Sequence, residues 1–437
     1  MSETRTIVVR PLTRVEGHGA LHLTVEGTRV ADLRLEIFEP PRFFESFLRG
    51  RDVVELPDLV ARICGICPVA YQMSVVHALE EIFGVAVHPQ IRALRRLYYA
   101  GEWIESHLLH MILLAAPDFL GVDDVKGVAE VHPREVERAL RIRSLGNRIL
   151  KLLGGRSVNP VGVRIGGFSR LPSRRALSEL AEDLRRERGG AEALLHWFAS
   201  LPVRPRPQDI ELVAMRHPDE YPMNEGGIVS SHGLTLTASE FDQAFEEAQV
   251  PHSTAMHSRI RGRGAYMVGP LARVTLNADR LAAPAAGAFA ALRERFATPD
   301  PAASVLARGI EVLQAIDEAI RVIDAFEPPA APASDWSPRA GSAGWVTEAP
   351  RGILYIAVES DGVGHVLRIR IVPPTSQNQA RIEDDLRELA PQVLDLPEDA
   401  ARRAFETAIR DYDPCISCAT HFLDLRIDRR DPTCESA

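Results

Sequence analysis

Apolar Met73, Val76, Leu79 and Phe83 recur at three- and four-residue spacing within 69–83, the pattern that lines one face of an α-helix. A longer stretch with the same period runs over about 91–114, and further ones cover about 134–153, 173–199, 285–325 and 376–409. Elsewhere the period shortens. Residues 6–38 alternate β-branched and apolar positions with polar ones, broken by Gly19, Gly27 and Asp32, which predicts a small antiparallel meander. Strand-like segments return near 210–236, 266–276 and 353–372, whereas 327–344, with Pro328, Pro329, Pro332 and Pro338 among alanine, serine and glycine, predicts a loop or linker. No internal repeat is visible, so the expected fold class is α+β: one intertwined unit with a mainly helical core and small antiparallel sheets.

Composition narrows the function classes. With 46% apolar and 25% charged residues, 437 residues suffice for a large buried core. The net charge of -9 argues against nucleic acid, whose binding needs a basic face. Lysine is confined to Lys126 and Lys151, and the remaining positive charge is arginine. Residues 1–9 lack a basic region followed by an apolar core, and the apolar run 108–116, interrupted by His110, is shorter than the roughly 20 residues that cross a bilayer. A cytoplasmic protein without a transmembrane segment is expected. Five cysteines in so long a chain make no disulfide scaffold, and paired thiols in a reducing compartment more often bind metal.

Four of those cysteines form two Cys-x-x-Cys pairs near opposite ends, Cys64/Cys67 and Cys415/Cys418. A four-cysteine zinc module usually places its pairs roughly 15–20 residues apart. Here most of the protein separates them, which points to a single site that joins both ends. Gly65 suits a tight turn between the first two thiols, and Pro68 suits the first position of a following helix, which sets Cys67 at a helix start where partial positive charge favours thiolate. Pro414 stiffens the chain before the second pair, and Asp413 is expected to order that loop through backbone hydrogen bonds. Four thiolates are soft ligands suited to zinc, iron-sulfur clusters, copper(I) or nickel, and the donor set alone leaves these open.

The flanks add specificity. Arg62-Ile63-Cys64-Gly65-Ile66-Cys67-Pro68 and Asp413-Pro414-Cys415-Ile416-Ser417-Cys418-Ala419-Thr420-His421 together resemble the large, catalytic subunit of nickel-iron hydrogenases, and nearly the whole chain reads consistently with that family. The segment 62–72 is most similar to the cytosolic, bidirectional NAD(P)-coupled and sulfhydrogenase branch. The resemblance implies reversible heterolysis of H2. It implies that Cys64, Cys67, Cys415 and Cys418 bind nickel, that Cys67 and Cys418 also bridge to an iron with CO and CN ligands, and that Cys415 accepts a proton. Glu16, in Arg14-Val15-Glu16-Gly17-His18, resembles the proton-relay glutamate. Glu45 and His421 correspond to magnesium ligands, with a backbone carbonyl near Ile371 and waters completing the shell. Arg351 is similar to the arginine over the iron ligands, and Pro374 and Thr375 to the stretch lining them. Tyr71, Ser106 and Asn159-Pro160 depart from the better-known uptake enzymes, which puts the surroundings of the centre in doubt but not its ligands.

After four ligands only Cys434 remains, too few thiols for an iron-sulfur cluster, and no dinucleotide fingerprint follows a strand. The implied partners are an iron-sulfur small subunit, flavin and iron-sulfur diaphorase subunits, and a maturation endopeptidase. NAD(P), a deazaflavin, ferredoxin and polysulfide are all open as acceptors. The expected division is residues 1–421 as the catalytic unit and 422–437 as an extension trimmed in whole or part. The alternatives are a structural zinc protein clamped by four cysteines and a subunit like the quinone-pocket subunit of complex I that lacks hydrogen chemistry.

Overall fold

The computed structural model describes residues 4–9, 11–26, 29–40, 42–393 and 395–420. The chain opens with an antiparallel sheet of consecutive strands Thr4–Val9, Gly19–Glu26 and Arg29–Ile37. Its alternation is legible in the burial: Leu21, Leu23 and Val25 point inward beside Leu33, Leu35 and Ile37, with Leu21 opposite Leu35. A helical centre follows. Helices Pro68–Phe83, Pro89–Leu109 and Pro133–Gly154 each begin with proline at the first turn, where its missing N–H costs nothing. Gly84 and Gly155 close the first and third with left-handed backbone, φ 65° and 82°.

Pro89–Leu109 lies in the middle, packed on Pro133–Gly154 and on Ser304–Asp324, which in turn packs on Arg174–Ser200. The first of these crossings is close because two glycines meet. A Cβ on Gly146 would lie 2.6 Å from the Gly101 carbonyl oxygen and 2.9 Å from the Glu105 nitrogen. Gly146→Val is therefore expected to cost about 3 kcal/mol, since backbone cannot give way as a side chain does. Gly189→Ala, on an open helix surface with nothing within 4 Å, should be neutral or slightly stabilising. Urea unfolding of the two variants checks the contrast, and equal midpoints would refute close packing at Gly146.

The periodic stretches match helices with informative exceptions. The one over 91–114 is α-helical only to Leu109 and continues as a π-helical turn, His110–Ala115, whose widened backbone leaves the Leu114 carbonyl to accept from Arg14 Nη1 at 2.5 Å. The stretch over 285–325 is split: Ala283–Ala291 ends, and Ser304–Asp324 restarts after Asp300 accepts from the Ala302 N–H ahead of Pro301. The stretch over 376–409 is two helices, Pro374–Val393 and Glu398–Asp411, separated at Pro397. The strand expected over 266–276 is instead a helix, Pro270–Leu276, which starts after Gly269 at φ 123°. Its short apolar run carries no period that separates strand from buried helix.

The second half holds another consecutive antiparallel sheet, Gly341–Ala349, Gly352–Ser360 and Val366–Val372, laid against Pro68–Phe83. Residues 341–344, expected as loop, are the edge strand's first half, and Gly341 pairs with Ser360. The proline-rich part before it is pinned rather than free. The Phe168 N–H donates to the Pro332 carbonyl at 3.0 Å, the Ser334 N–H to that of Gly166 at 3.1 Å, and Trp336 stacks on Phe83 at 5.2 Å. The fold is α+β, mainly helical with small antiparallel sheets, and no helix among the described residues is long and apolar enough to cross a membrane.

Candidate metal centre

Both cysteine pairs sit at helix starts, and the fold brings the two starts together. Cys67 precedes Pro68–Phe83, and Cys415 precedes the short helix Ile416–Ala419. All four side chains are buried and unbridged, with their sulfurs within 4.8 Å of one another. Cys64 Sγ lies 3.5 Å from Cys415 Sγ, Cys67 Sγ 3.7 Å from Cys418 Sγ, and Cys415 Sγ 2.9 Å from Cys418 Sγ. Cys64 Sγ also accepts the N–H groups of Ile66 and Cys67 at 3.3 Å each. Gly65 is not needed for a left-handed turn: its φ is outside that range and an added Cβ would meet only Val158 at 3.8 Å.

Thiols so close cannot all ionise together. The hydrogen bond from Cys418 and burial push Cys415 well above the ordinary thiol range, whereas hydrogen bonding from Cys415, then Cys418, pulls Cys64 well below it. A cation among four sulfurs removes that conflict, so the donor set fits a soft transition metal. Arg351 supplies a second sign. It is 2% exposed, donates from Nε to the Asp413 carbonyl at 2.8 Å and from Nη2 to Asp413 Oδ1 at 3.1 Å, and leaves Nη1 buried with no protein partner. The three thiols Cys415, Cys67 and Cys64 contribute to its field, after Asp413. A buried donor beside sulfur ligands suits anionic ligands on a bound metal.

Asp413 itself is one of the surprises. Its carboxylate does not order its own loop but pairs with Arg351 and with Arg308 at 3.2 Å, and its backbone is left-handed at φ 52°. Against burial, Arg351 and then His110 and Arg308 hold its carboxyl below the ordinary range. Behind it, Arg308 approaches His107, His107 Nε2 lies 2.9 Å from Glu311, and Arg273 spans Glu311 at 2.7 Å and Glu348 at 2.8 Å. This fully buried chain of charged and polar groups fixes Arg351 from the rear.

Glu16 reaches the centre from the N-terminal segment. Its Oε2 accepts from Cys415 Sγ at 3.2 Å and from the Ser417 N–H at 3.0 Å, and its carbonyl accepts from the Ile416 N–H at 3.0 Å. Glu16 and Cys415 thus form a parallel bridge between chain segments 399 residues apart. Thr375, at the start of Pro374–Val393, accepts the Cys415 N–H on Oγ1 at 3.0 Å, and Pro374 is buried beside it. Tyr71 is buried with Oη unpartnered, its phenol pushed up by burial and then by Cys418. Ser106 is likewise buried with Oγ unpartnered.

Glu45, on the short helix Phe44–Leu48, stands apart from the sulfurs. Its Oε1 meets the N–H of Ile371 at 2.7 Å, where a carbonyl was expected to share a cation with it. Burial, opposed by that hydrogen bond, pushes its carboxyl up to about 7. His421, Cys434 and the 422–437 extension lie outside the described residues.

Two carboxylates at the site carry no signal in the motifs. Glu102 crosses from Pro89–Leu109 to accept the N–H groups of Val69 and Ala70 at 2.6 and 3.3 Å, which caps the helix that begins behind Cys67. A charge on the buried face of its own helix is the one trace it leaves in the sequence. Glu39 accepts from Ser417 Oγ at 2.7 Å and from the His18 N–H at 3.1 Å, so Ser417 bonds to both Glu16 and Glu39. Nothing in Phe38-Glu39-Pro40 announces this.

Burial also keeps several imidazoles neutral: His77 and His110 fall to about 3 and His107 to about 4. The unfolded chain binds these protons first, near its ordinary 6.5. Folded stability is therefore full above that pH and erodes as pH falls toward 3–4, about tenfold in the folding equilibrium per unit per site. His77→Phe, which retains the 4.9 Å stack on Trp345, should flatten the loss of urea midpoint between pH 6.5 and 4.5. An unchanged slope would exclude His77.

Known proteins share this arrangement of chain. A family model for nickel-dependent hydrogenase matches residues 42–171. Sulfhydrogenase 1 subunit alpha of Pyrococcus furiosus is 31% identical over 423 residues, covering 96% of this chain and 98% of that protein. NAD-reducing hydrogenase HoxS subunit beta of Cupriavidus necator is 27% identical, covering 96% and 95%. Among solved structures, an NAD+-reducing [NiFe]-hydrogenase in the H2-reduced state superposes with a TM-score of 0.87 at 28% identity, over 96% of this chain and 100% of that one.

Proposed function

The chain belongs to the nickel-dependent hydrogenase family as a large, catalytic subunit acting on H2, and we propose that its four converging cysteines hold a nickel-iron centre whose electrons leave through a cluster-bearing small subunit toward NAD(P) or a related acceptor. The supporting observation is the convergence of the four thiols with Glu16 Oε2 at 3.2 Å from one of them. When bound, nickel and iron supply the Lewis acidity and redox capacity that polarise H2.

The protein's own part is to hold that centre and move a proton. Cys64 and Cys415 would be terminal ligands, and Cys67 and Cys418, which face each other, would be shared with iron. Cys415 Sγ takes the proton and Glu16 Oε2 receives it, within hydrogen-bond reach. Ser417 leads on to Glu39, next to exposed His18. Thr375 fixes the Cys415 backbone, Pro374 excludes water beside it, and Arg351 Nη1 is the donor available to CO and CN ligands on iron. Glu45, together with His421, would hold magnesium, a cation that compensates a half-buried carboxylate.

The same reading includes flavin and iron-sulfur diaphorase partners, a maturation endopeptidase that trims beyond His421, and a cytoplasmic setting that keeps the thiols reduced. The test is purification of the native complex, metal analysis, and H2-dependent reduction of NAD+ and NADP+. Zinc without nickel and iron would sink the assignment. Metals with H2 turnover but no nicotinamide reduction would remove only the acceptor.

A further inference from the structure

A second cluster of metal-ligating side chains lies where the two-stranded sheet Phe245–Gln249 and Met256–Ile260 meets the helix Pro374–Val393. His252 follows strand Phe245–Gln249, His257 lies in its partner strand Met256–Ile260, and Glu383 projects from Pro374–Val393. One ligand atom from each falls within 4.8 Å of the others. We propose that His252, His257 and Glu383 form a zinc site with one open position toward solvent, distinct from the four-cysteine centre and independent of its chemistry.

A hydrogen bond accounts for two of these residues but not for the third. His252 Nε2 lies 2.8 Å from Glu383 Oε1, an ordinary imidazole-carboxylate contact. His257 is 4% exposed, and its Nε2 is buried with no partner in the protein. Leaving such a group unpaired costs roughly 1–3 kcal/mol. Neutral imidazole is the form that binds metal, and burial keeps His257 neutral, with its pKa at about 4.

The surroundings complete the features of a zinc site. Glu383 Oε1 also accepts the Leu35 N–H at 2.9 Å, and Oε2 accepts from Arg387 at 3.1 Å, contacts that orient the carboxylate from outside the ligand set. The turn bearing His252 is anchored: Thr254 donates its N–H and its hydroxyl to the Ile37 carbonyl at 2.8 and 2.9 Å. An open surface depression of about 540 Å³ lined by Glu36–Phe38 and Gln249–Thr254 borders His252, alone of the three ligands, so an ion and its water ligand would enter from that side. Two imidazoles and one carboxylate with an open fourth position is a donor set that zinc takes readily. At zinc-ligand distances of about 2.0–2.1 Å, tetrahedral donors are about 3.3 Å apart. His252 and Glu383 must therefore open slightly, His257 must close in, and the hydrogen on His252 Nε2 must pass to Nδ1 or to water.

The experiment uses the native complex, stripped with EDTA, titrated with zinc chloride at pH 7.5 and desalted, with zinc, nickel and iron measured together. Wild type should hold one zinc per chain more than His257→Ala or Glu383→Gln, whose affinity should fall at least tenfold at unchanged nickel and iron. Zinc-edge absorption should show nitrogen and oxygen ligands without sulfur. Equal zinc in wild type and variants, or sulfur ligation, overturns the site and leaves a hydrogen-bonded pair beside a buried imidazole. Should His257→Ala lose nickel through misfolding, His252→Ala, at the edge of the depression, separates the same two outcomes.

Discussion

Cys418→Ser should leave the purified complex with less than a tenth of wild-type nickel and no measurable H2 uptake. Cys418 Sγ lies 2.9 Å from Cys415 Sγ and 3.7 Å from Cys67 Sγ, so it touches both cysteine pairs. Serine is smaller and its alkoxide is a hard donor with a high pKa, a poor substitute where a soft thiolate neutralises the metal. The fold should survive, because serine keeps nearly the size of a side chain that is one small member of a large buried core. Metal analysis beside circular dichroism decides it. Full nickel in a folded variant would show that the two pairs do not hold one centre.

Glu16→Gln should give the opposite pairing of results. Glutamine keeps the shape and a carbonyl oxygen to accept the Ser417 N–H, so nickel and iron should remain at wild-type levels. What it loses is the ability to accept a proton from Cys415. Removal of a positioned general base typically costs 10²–10⁴-fold, so H2 turnover and hydrogen-deuterium exchange should drop together by about that range. Normal exchange in a metal-replete variant would take Glu16 out of the proton path and leave Ser417 and Glu39 without a donor upstream.

How much of the molecule is legible in its sequence depends on whether the signal is local. Proline at helix starts and glycine at their ends mark Pro68–Phe83 and Pro133–Gly154 almost to the residue, because both devices act within one turn. The cysteine pairs are legible because spacing and flanks carry the chemistry. The helix Pro270–Leu276 reads as strand because seven residues are too few for a period to appear. Residues 341–344 read as loop because small residues suggest one, whereas partners 13–19 residues later in the next strand hold them. Glu102 and Glu39, and the true partners of Asp413, are hidden for another reason: their contacts with Val69, Ser417 and Arg308 are set by tertiary packing. The cluster at His252, His257 and Glu383 joins residues up to 131 apart with no motif, so only coordinates could assemble it.

The parallel bridge between Glu16 and Cys415 fixes when the centre can be built. At the usual pace of synthesis, about 5–20 residues per second, roughly 20–70 s separate the appearance of Cys64 from that of Cys418. Throughout that interval the early thiols are exposed nucleophiles on a nascent chain. The four ligands can act together only once Cys418 has been made and the two ends have met, so Cys64 and Cys67 must stay reduced and unbridged until then.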